Sequence, residues 1–310
     1  MRVLSLFDGV STGLLALKQA GIPVSEYHAC EIDKHAIKIS QKNFPEIVQL
    51  GDVTKLDIQE GQYDLLLAGF PCQAWSSAGK QLGLADPRGQ LALTMFDIFK
   101  KLKPKYFMFE NVASMSKGNK AFLDKLVGVE GVTIDSGLVS AQNRRRIYWS
   151  NFQINQPEDR GIMLQDILED GFVDRDKSYC IDANYFKGGN LKSYFEKRRR
   201  QLVFRDAIAW SSSGRGNGKI EDRFRVNDKA NTLMASGTGC GGAKTLNIVY
   251  SNDGIRILTP IECERLMGLP DSFTEGISNT QRYKCLGNGW ECNTVTSIFK
   301  DLKDHIDGKN

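Results

Sequence analysis

Residues 2–13 read RVLSLFDGVSTG, an apolar run that breaks into a turn at Phe7-Asp8-Gly9 and then hands over to LLALKQA (14–20). A run with one charge, at Arg2, suits a strand covered on both faces, and the glycines suit a strand-to-helix turn. Outward from it the alternation repeats. SEYHAC (25–30) predicts a strand and DKHAIKISQKNF (33–44) a helix. IVQL (47–50), YDLLLAGF (63–70) and YFMFENV (106–112) predict further strands, with a helix near LALTMFDIFKKL (91–102). Such alternation predicts an α/β fold with a doubly wound, mostly parallel sheet.

From about Asn155 the pattern weakens, and SSSGRGNGK (211–219) and SGTGCGG (236–242) read as loops. Regular pattern returns at LTPIECERLMGL (258–269), with Thr259 as N-cap and Pro260 in the first turn, and again in NTVTSIFKDLKDHI (293–306). The layout predicts one domain built from 1–154 and 255–310, interrupted by a smaller loop-rich region over 155–254.

Composition narrows the chemistry. The 310 residues carry 41 Lys and Arg against 37 Asp and Glu, so overall charge says little. Its distribution says more: residues 191–230 hold 11 Lys and Arg against 5 Asp and Glu, a basic block that suits a polyanion. A solvated helix face would also account for Lys197-Arg198-Arg199-Arg200 taken alone. The three histidines, His28, His35 and His305, lie far from any Ser or Cys motif, which argues against Ser-His-Asp hydrolysis and His-rich metal sites. Seven cysteines without a C-x-x-C pair suit free thiols in a reducing compartment, and no metal site is expected. No apolar run approaches the ~18 residues of a membrane helix, and MRVLSLFDGV does not read as a signal peptide, so a cytoplasmic location is expected.

Three strand ends point to a nucleoside. The turn at Gly9 lets a ligand approach the backbone, Glu31 follows the second strand and suits ribose hydroxyls, and Asp52 follows the third and suits an adenine amino group. Gly69-Phe70-Pro71-Cys72-Gln73 presents a cysteine just after the fourth strand, where a thiolate would be a nucleophile without needing histidine. Glu110-Asn111-Val112 ends the fifth strand, so Glu110 should face the same crevice. Gln142-Asn143-Arg144-Arg145-Arg146 enters another strand, whose alternation puts Arg144 and Arg146 on one face.

In this order, FDGVSTG, Glu31, Asp52, GFPCQAWS, FENV, QNRRR and LGNGW, the chain resembles the cytosine-5 DNA methyltransferases over nearly its whole length. Its short basic insert is similar to that of the small bacterial and phage enzymes, and GNGWECNTV to the animal de novo type. The family usually has Phe-Ser where Trp75-Ser76 stands, and Gly-Asn-Ser or Gly-Asn-Ala then Val where Gly287-Asn288-Gly289-Trp290 stands. The resemblance implies an S-adenosylmethionine-dependent, Rossmann-like methyltransferase with a small DNA-recognition domain, acting on a cytosine flipped from duplex DNA.

Carried onto this sequence, the family implies catalytic roles for Cys72, Glu110, Arg144 and Arg146, with Arg144 fixing the Glu110 carboxylate or a phosphate and Arg146 contacting the base. It implies cofactor contacts at Phe7, Asp8, Gly9, Thr12, Glu31, Ile32, Asp52, Val53, Pro71, Leu91, Asn288 and Trp290. DNA contacts are expected from Gln73, Ser76, Lys80, Gln142, Arg215, Arg223, Arg225, Thr238 and Lys244. A monomer of the restriction-modification class is expected. A tRNA-modifying relative would carry a Cys-Phe-Thr signature, which is absent here. An inactive relative would be expected to lack the cysteine or the glutamate.

Overall fold

The computed structural model describes residues 1–71, 87–188, 194, 197–204, 210–211, 225–226 and 255–309. Within them run strands β1 (Arg2–Leu6), β2 (Glu26–Cys30), β3 (Val48–Gln49), β4 (Leu65–Gly69), β5 (Tyr106–Val112), β6 (Val132–Asp135) and β7 (Arg145–Ser150). They form one seven-stranded sheet in the order β3-β2-β1-β4-β5-β7-β6. The first five strands pair in parallel, as the alternation predicted. β7 runs antiparallel to both β5 and β6, because residues 136–144 are fewer than the dozen or so that a parallel crossover needs.

Helices α1 (Thr12–Gln19), α2 (Lys34–Asn43), α3 (Pro87–Leu102), α4 (Lys117–Val127), α5 (Pro260–Leu266), α6 (Asn279–Asn288) and α7 (Cys292–Ile306) cover the sheet. The near-continuous apolar strands are explained by two cores. Val3, Leu65, Leu67, Met108 and Tyr148 face one core with Leu14 and Leu17 of α1 and Val295 and Phe299 of α7. Their neighbours Leu4, Leu66, Phe107, Phe109 and Trp149 face the other, with Met95 and Phe96 of α3 and Leu123 of α4. Period-two alternation therefore splits each strand between two buried faces.

α5 starts as its sequence predicts. Thr259 accepts from the Glu262 backbone N–H at 3.1 Å, and Glu262 returns the bond to the Thr259 N–H at 2.7 Å. Past β7 the chain stays with the larger core through Ile162, Leu164, Ile167, Ile181 and Tyr185. It then forms β8 (Leu202–Phe204), the two-residue strands β9 (Trp210–Ser211) and β10 (Arg225–Val226), and β11 (Ile255–Ile257). β8 pairs antiparallel with β11, with Phe204 opposite Ile255. The expected loop at 236–242 lies outside the described residues, as does all of the 211–219 loop except Ser211, which falls in β9.

Candidate active site

The C-terminal ends of β1, β2, β4 and β5 open into a cavity of about 340 Å³. The crevice outside strand ends is where open α/β sheets bind ligands. Its wall includes Phe7, Gly9, Glu31, Ile32, Asp52, Val53, Pro71, Leu91, Glu110, Arg144, Arg146 and Asn288, all expected from the sequence. Asp8, Thr12 and Trp290 are not on that wall.

One half of the cavity has the chemistry of a nucleoside site. Glu31 Oε2 accepts the Gly9 N–H, and Oε1 accepts the N–H groups of Ile32 and Asp33, each at 2.8 Å. Three N–H bonds fix the carboxylate yet leave acceptor capacity for a hydroxyl. Gly9 has φ 63°, a left-handed turn that glycine adopts without strain, and nothing lies within 4 Å of where its Cβ would be. Ile32 is 76% exposed beside Phe7, an apolar surface suited to a planar ring. Asp52 Oδ1 accepts from the Thr54 N–H and hydroxyl at 2.9 and 2.8 Å, which holds that carboxyl below its usual range. Asp8 turns away from the cavity: its carboxylate accepts from Tyr27 Oη at 2.7 Å and from Ser11 Oγ, and burial pushes it up to about 6. Thr12 is buried as the first residue of α1. These two residues shape the turn from behind it.

The other half is charged. Glu110 Oε1 lies 3.0 Å from Arg146 Nε, and Glu110 Oε2 accepts from Trp290 Nε1 at 3.1 Å. Arg144 does not touch the Glu110 carboxylate, the first of its two expected partners. Arg144 is 3% exposed, and its guanidinium donates to the carbonyls of Ile181, Gly287 and Gly289 at 3.1, 3.3 and 2.6 Å, fixing the α6–α7 junction. Gln142 also departs from its expected DNA contact. It is fully buried, its amide nitrogen donating to the Leu266 carbonyl at 2.6 Å and its oxygen accepting from Ile181 N–H at 3.4 Å, so no polar atom is left for DNA.

Two participants escaped the sequence reading. Asn111, quoted within FENV but given no role, donates to the Phe70 carbonyl at 3.0 Å and so fixes the chain entering Pro71. Cys180, in a stretch without motif, sits between Arg144 Nη1 at 3.2 Å and Arg146 Nη2 at 3.8 Å. Burial raises its thiol, but the two guanidiniums outweigh that and hold it below the usual thiol range. Cys72, Gln73, Ser76, Lys80, Arg215, Arg223, Thr238 and Lys244 lie outside the described residues, and Arg225 falls in β10. Among the described residues no group of three or more His, Cys, Asp or Glu could hold a metal.

Comparison with known proteins gives a consistent picture. The family model for C-5 cytosine-specific DNA methylases matches residues 1–129 and 137–304. The chain is 31% identical to the Type II methyltransferase M.HhaI of Haemophilus parahaemolyticus, over 100% of this chain and 96% of that protein. It is 30% identical to the Type II methyltransferase M1.ScrFI of Lactococcus lactis subsp. cremoris, over 99% of this chain and 79% of that one. In fold it resembles the Entamoeba histolytica methyltransferase EhMeth, with TM-score 0.65 and 18% identity over 99% of this chain and 98% of that one. The S. pombe Dnmt2 methyltransferase gives TM-score 0.63 and 17% identity, over 99% of both chains.

Proposed function

The chain belongs to the family of C-5 cytosine-specific DNA methylases, and on that premise we propose that this DNA cytosine-5 methyltransferase methylates a flipped cytosine from S-adenosylmethionine. The observation that carries the reading is the meeting, in one cavity, of a nucleoside-type half at Glu31 and a base-facing half at Glu110. S-adenosylmethionine fits the first half: Glu31 would take its ribose hydroxyls, Phe7 and Ile32 its adenine face, and Asp52 its amino group. When bound, it supplies an electrophilic methyl group.

The protein's own residues then act on the base. The Cys72 thiolate adds to carbon 6 of cytosine, and the electrons displaced from the ring double bond make carbon 5 nucleophilic. Glu110, held by Arg146, faces N3 and the exocyclic amine and stabilises the charge that develops there. Carbon 5 would take the methyl group as the methyl–sulfonium bond breaks and leaves a neutral thioether, after which carbon 5 loses its proton to water and the C6–S bond breaks to return the thiolate. Arg146 contacts the base oxygen while it holds the carboxylate. The target reaches this pocket only outside the base stack.

We assign target recognition to the region 155–254, in which residues 205–254 depart from the β8–β11 pair. Its lysines and arginines suit phosphates, and its glycine-rich stretches suit close approach to base edges. The reading is tested by incubating the protein with labelled S-adenosylmethionine and either duplex DNA or tRNA. Label entering duplex DNA at carbon 5, at sites mapped by bisulfite sequencing, is expected. Label entering tRNA alone would overturn it.

A further inference from the structure

We propose that Trp290 is a positioning residue for Glu110, its indole N–H fixing the one carboxylate oxygen that Arg146 leaves free to swing. The inference rests on the reading of Glu110 as the group that engages the cytosine ring. It begins with an incomplete ion pair. Arg146 comes nearest Glu110 with its Nε, 3.0 Å from Oε1, while its Nη1 donates to the Arg145 carbonyl and its Nη2 to Cys180 Sγ rather than to the carboxylate. A two-point Arg–carboxylate fork would define the carboxylate plane, but a one-point contact does not. The terminal torsion of glutamate is broad, so one contact leaves the plane free to rotate. Trp290 Nε1, 3.1 Å from Oε2, supplies the second point.

The indole is itself rigidly placed. On one side Arg144 holds the Gly289 carbonyl at 2.6 Å. On the other, buried Glu291 caps α7, accepting from the Thr294 N–H at 2.7 Å. The ring passes so near β4 that a Cβ at Gly69 would stand 2.6 Å from Nε1, and one at Gly13 would stand 3.3 Å from Cζ3. Gly69 thus leaves the room that the indole fills, directly opposite Glu110 in the β4–β5 register. Both carboxylate oxygens keep spare lone pairs after the ion pair and the indole hydrogen bond, so the held carboxylate still has capacity for the base.

The test compares Trp290→Phe with replacement of Trp290 by 3-benzothienylalanine, which keeps the bicyclic shape and exchanges the N–H for sulfur. Both should lower kcat for duplex DNA on the order of 10-fold, the usual effect of one hydrogen bond to a charged group. KM for S-adenosylmethionine should stay within about threefold, since the donor acts on Glu110. In a Glu110→Gln background the same replacements should change kcat by less than about twofold, because interacting groups are not additive. A wild-type kcat in the benzothienyl protein would overturn the inference, as would an undiminished loss in the Glu110→Gln background. A wild-type rate for Glu110→Gln alone would instead overturn the reading of Glu110 beneath it.

Discussion

Arg146 Nε stands 3.0 Å from Glu110 Oε1, and the two reach each other diagonally across the antiparallel β5–β7 pair, where Glu110 faces Tyr148 in register. Both side chains are largely buried, at 14% and 12% exposure, so solvent screens the pair weakly. Arg146→Ala would leave a buried carboxylate without its cation. Stability should fall by roughly 3–5 kcal/mol, and methyl transfer by about 100-fold or more. Arg146→Lys keeps charge without the planar donors and should fall between the two. Denaturant unfolding and single-turnover kinetics check this, and a fully active Arg146→Ala protein would contradict it.

A second expectation concerns pH. Burial raises the Asp8 carboxyl from 3.8 to about 6, so the folded state holds its proton more tightly than the unfolded chain does. The sign follows from linkage: the stabilisation is present below pH ~4 and is lost as pH rises through ~6. Relative to Asp8→Asn, wild-type stability should decline by roughly 2–3 kcal/mol between pH 4 and 7. Paired unfolding curves at several pH values measure this. A constant difference would show that Asp8 titrates alike in both states.

Thiol chemistry should single out Cys180. Burial pushes Cys30, Cys285 and Cys292 up to about 12 and raises Cys263 well above the usual thiol range, whereas Arg144 and Arg146 lower Cys180. Because the thiolate is the reactive form, Cys180 should be alkylated first among these five at pH near 8. Mass spectrometry of a Cys72→Ala protein pulse-labelled with iodoacetamide reads the order directly. Earlier labelling of Cys30 would contradict the guanidinium effect.

How far the sequence disclosed this site depended on whether each signal was local. Strands β1, β2, β4 and β5 were legible because apolar runs covered on both faces leave little ambiguity, and Glu31 and Glu110 follow from strand ends. α4 and α6 went unseen because much of their length is polar; α6 buries only Tyr283, Cys285 and Leu286. Arg144 and Gln142 carried motif roles that burial reassigns: their polar atoms hold backbone carbonyls more than a hundred residues away in the chain. The Trp290–Glu110 contact, spanning 180 residues, had no local trace.

The described arginines of the basic block differ in how they are held. Arg198 and Arg199 are exposed, whereas Arg200 donates to the Gly188 carbonyl at 2.9 Å and is partly buried. Removing Arg198 and Arg199 while keeping Arg200 should test phosphate contact without disturbing the fold. If both meet phosphates, the log–log salt slope of duplex binding should flatten by about 1.8, at ~0.9 per phosphate. Methylated sites should be unchanged. An unaltered slope would make these arginines a solvated face.

The central claim is that Cys72 attacks a cytosine held by Glu110, and duplex DNA carrying 5-fluorocytosine tests it most directly. Fluorine cannot leave carbon 5 as a proton does, so the C6–S bond should persist after methyl transfer. The account predicts a stable protein–DNA adduct whose cross-linked peptide contains Cys72, abolished by Cys72→Ala and slowed about 10²–10⁴-fold by Glu110→Gln. An adduct that survives in Cys72→Ala, or methyl transfer by that variant at a near wild-type rate, would contradict it.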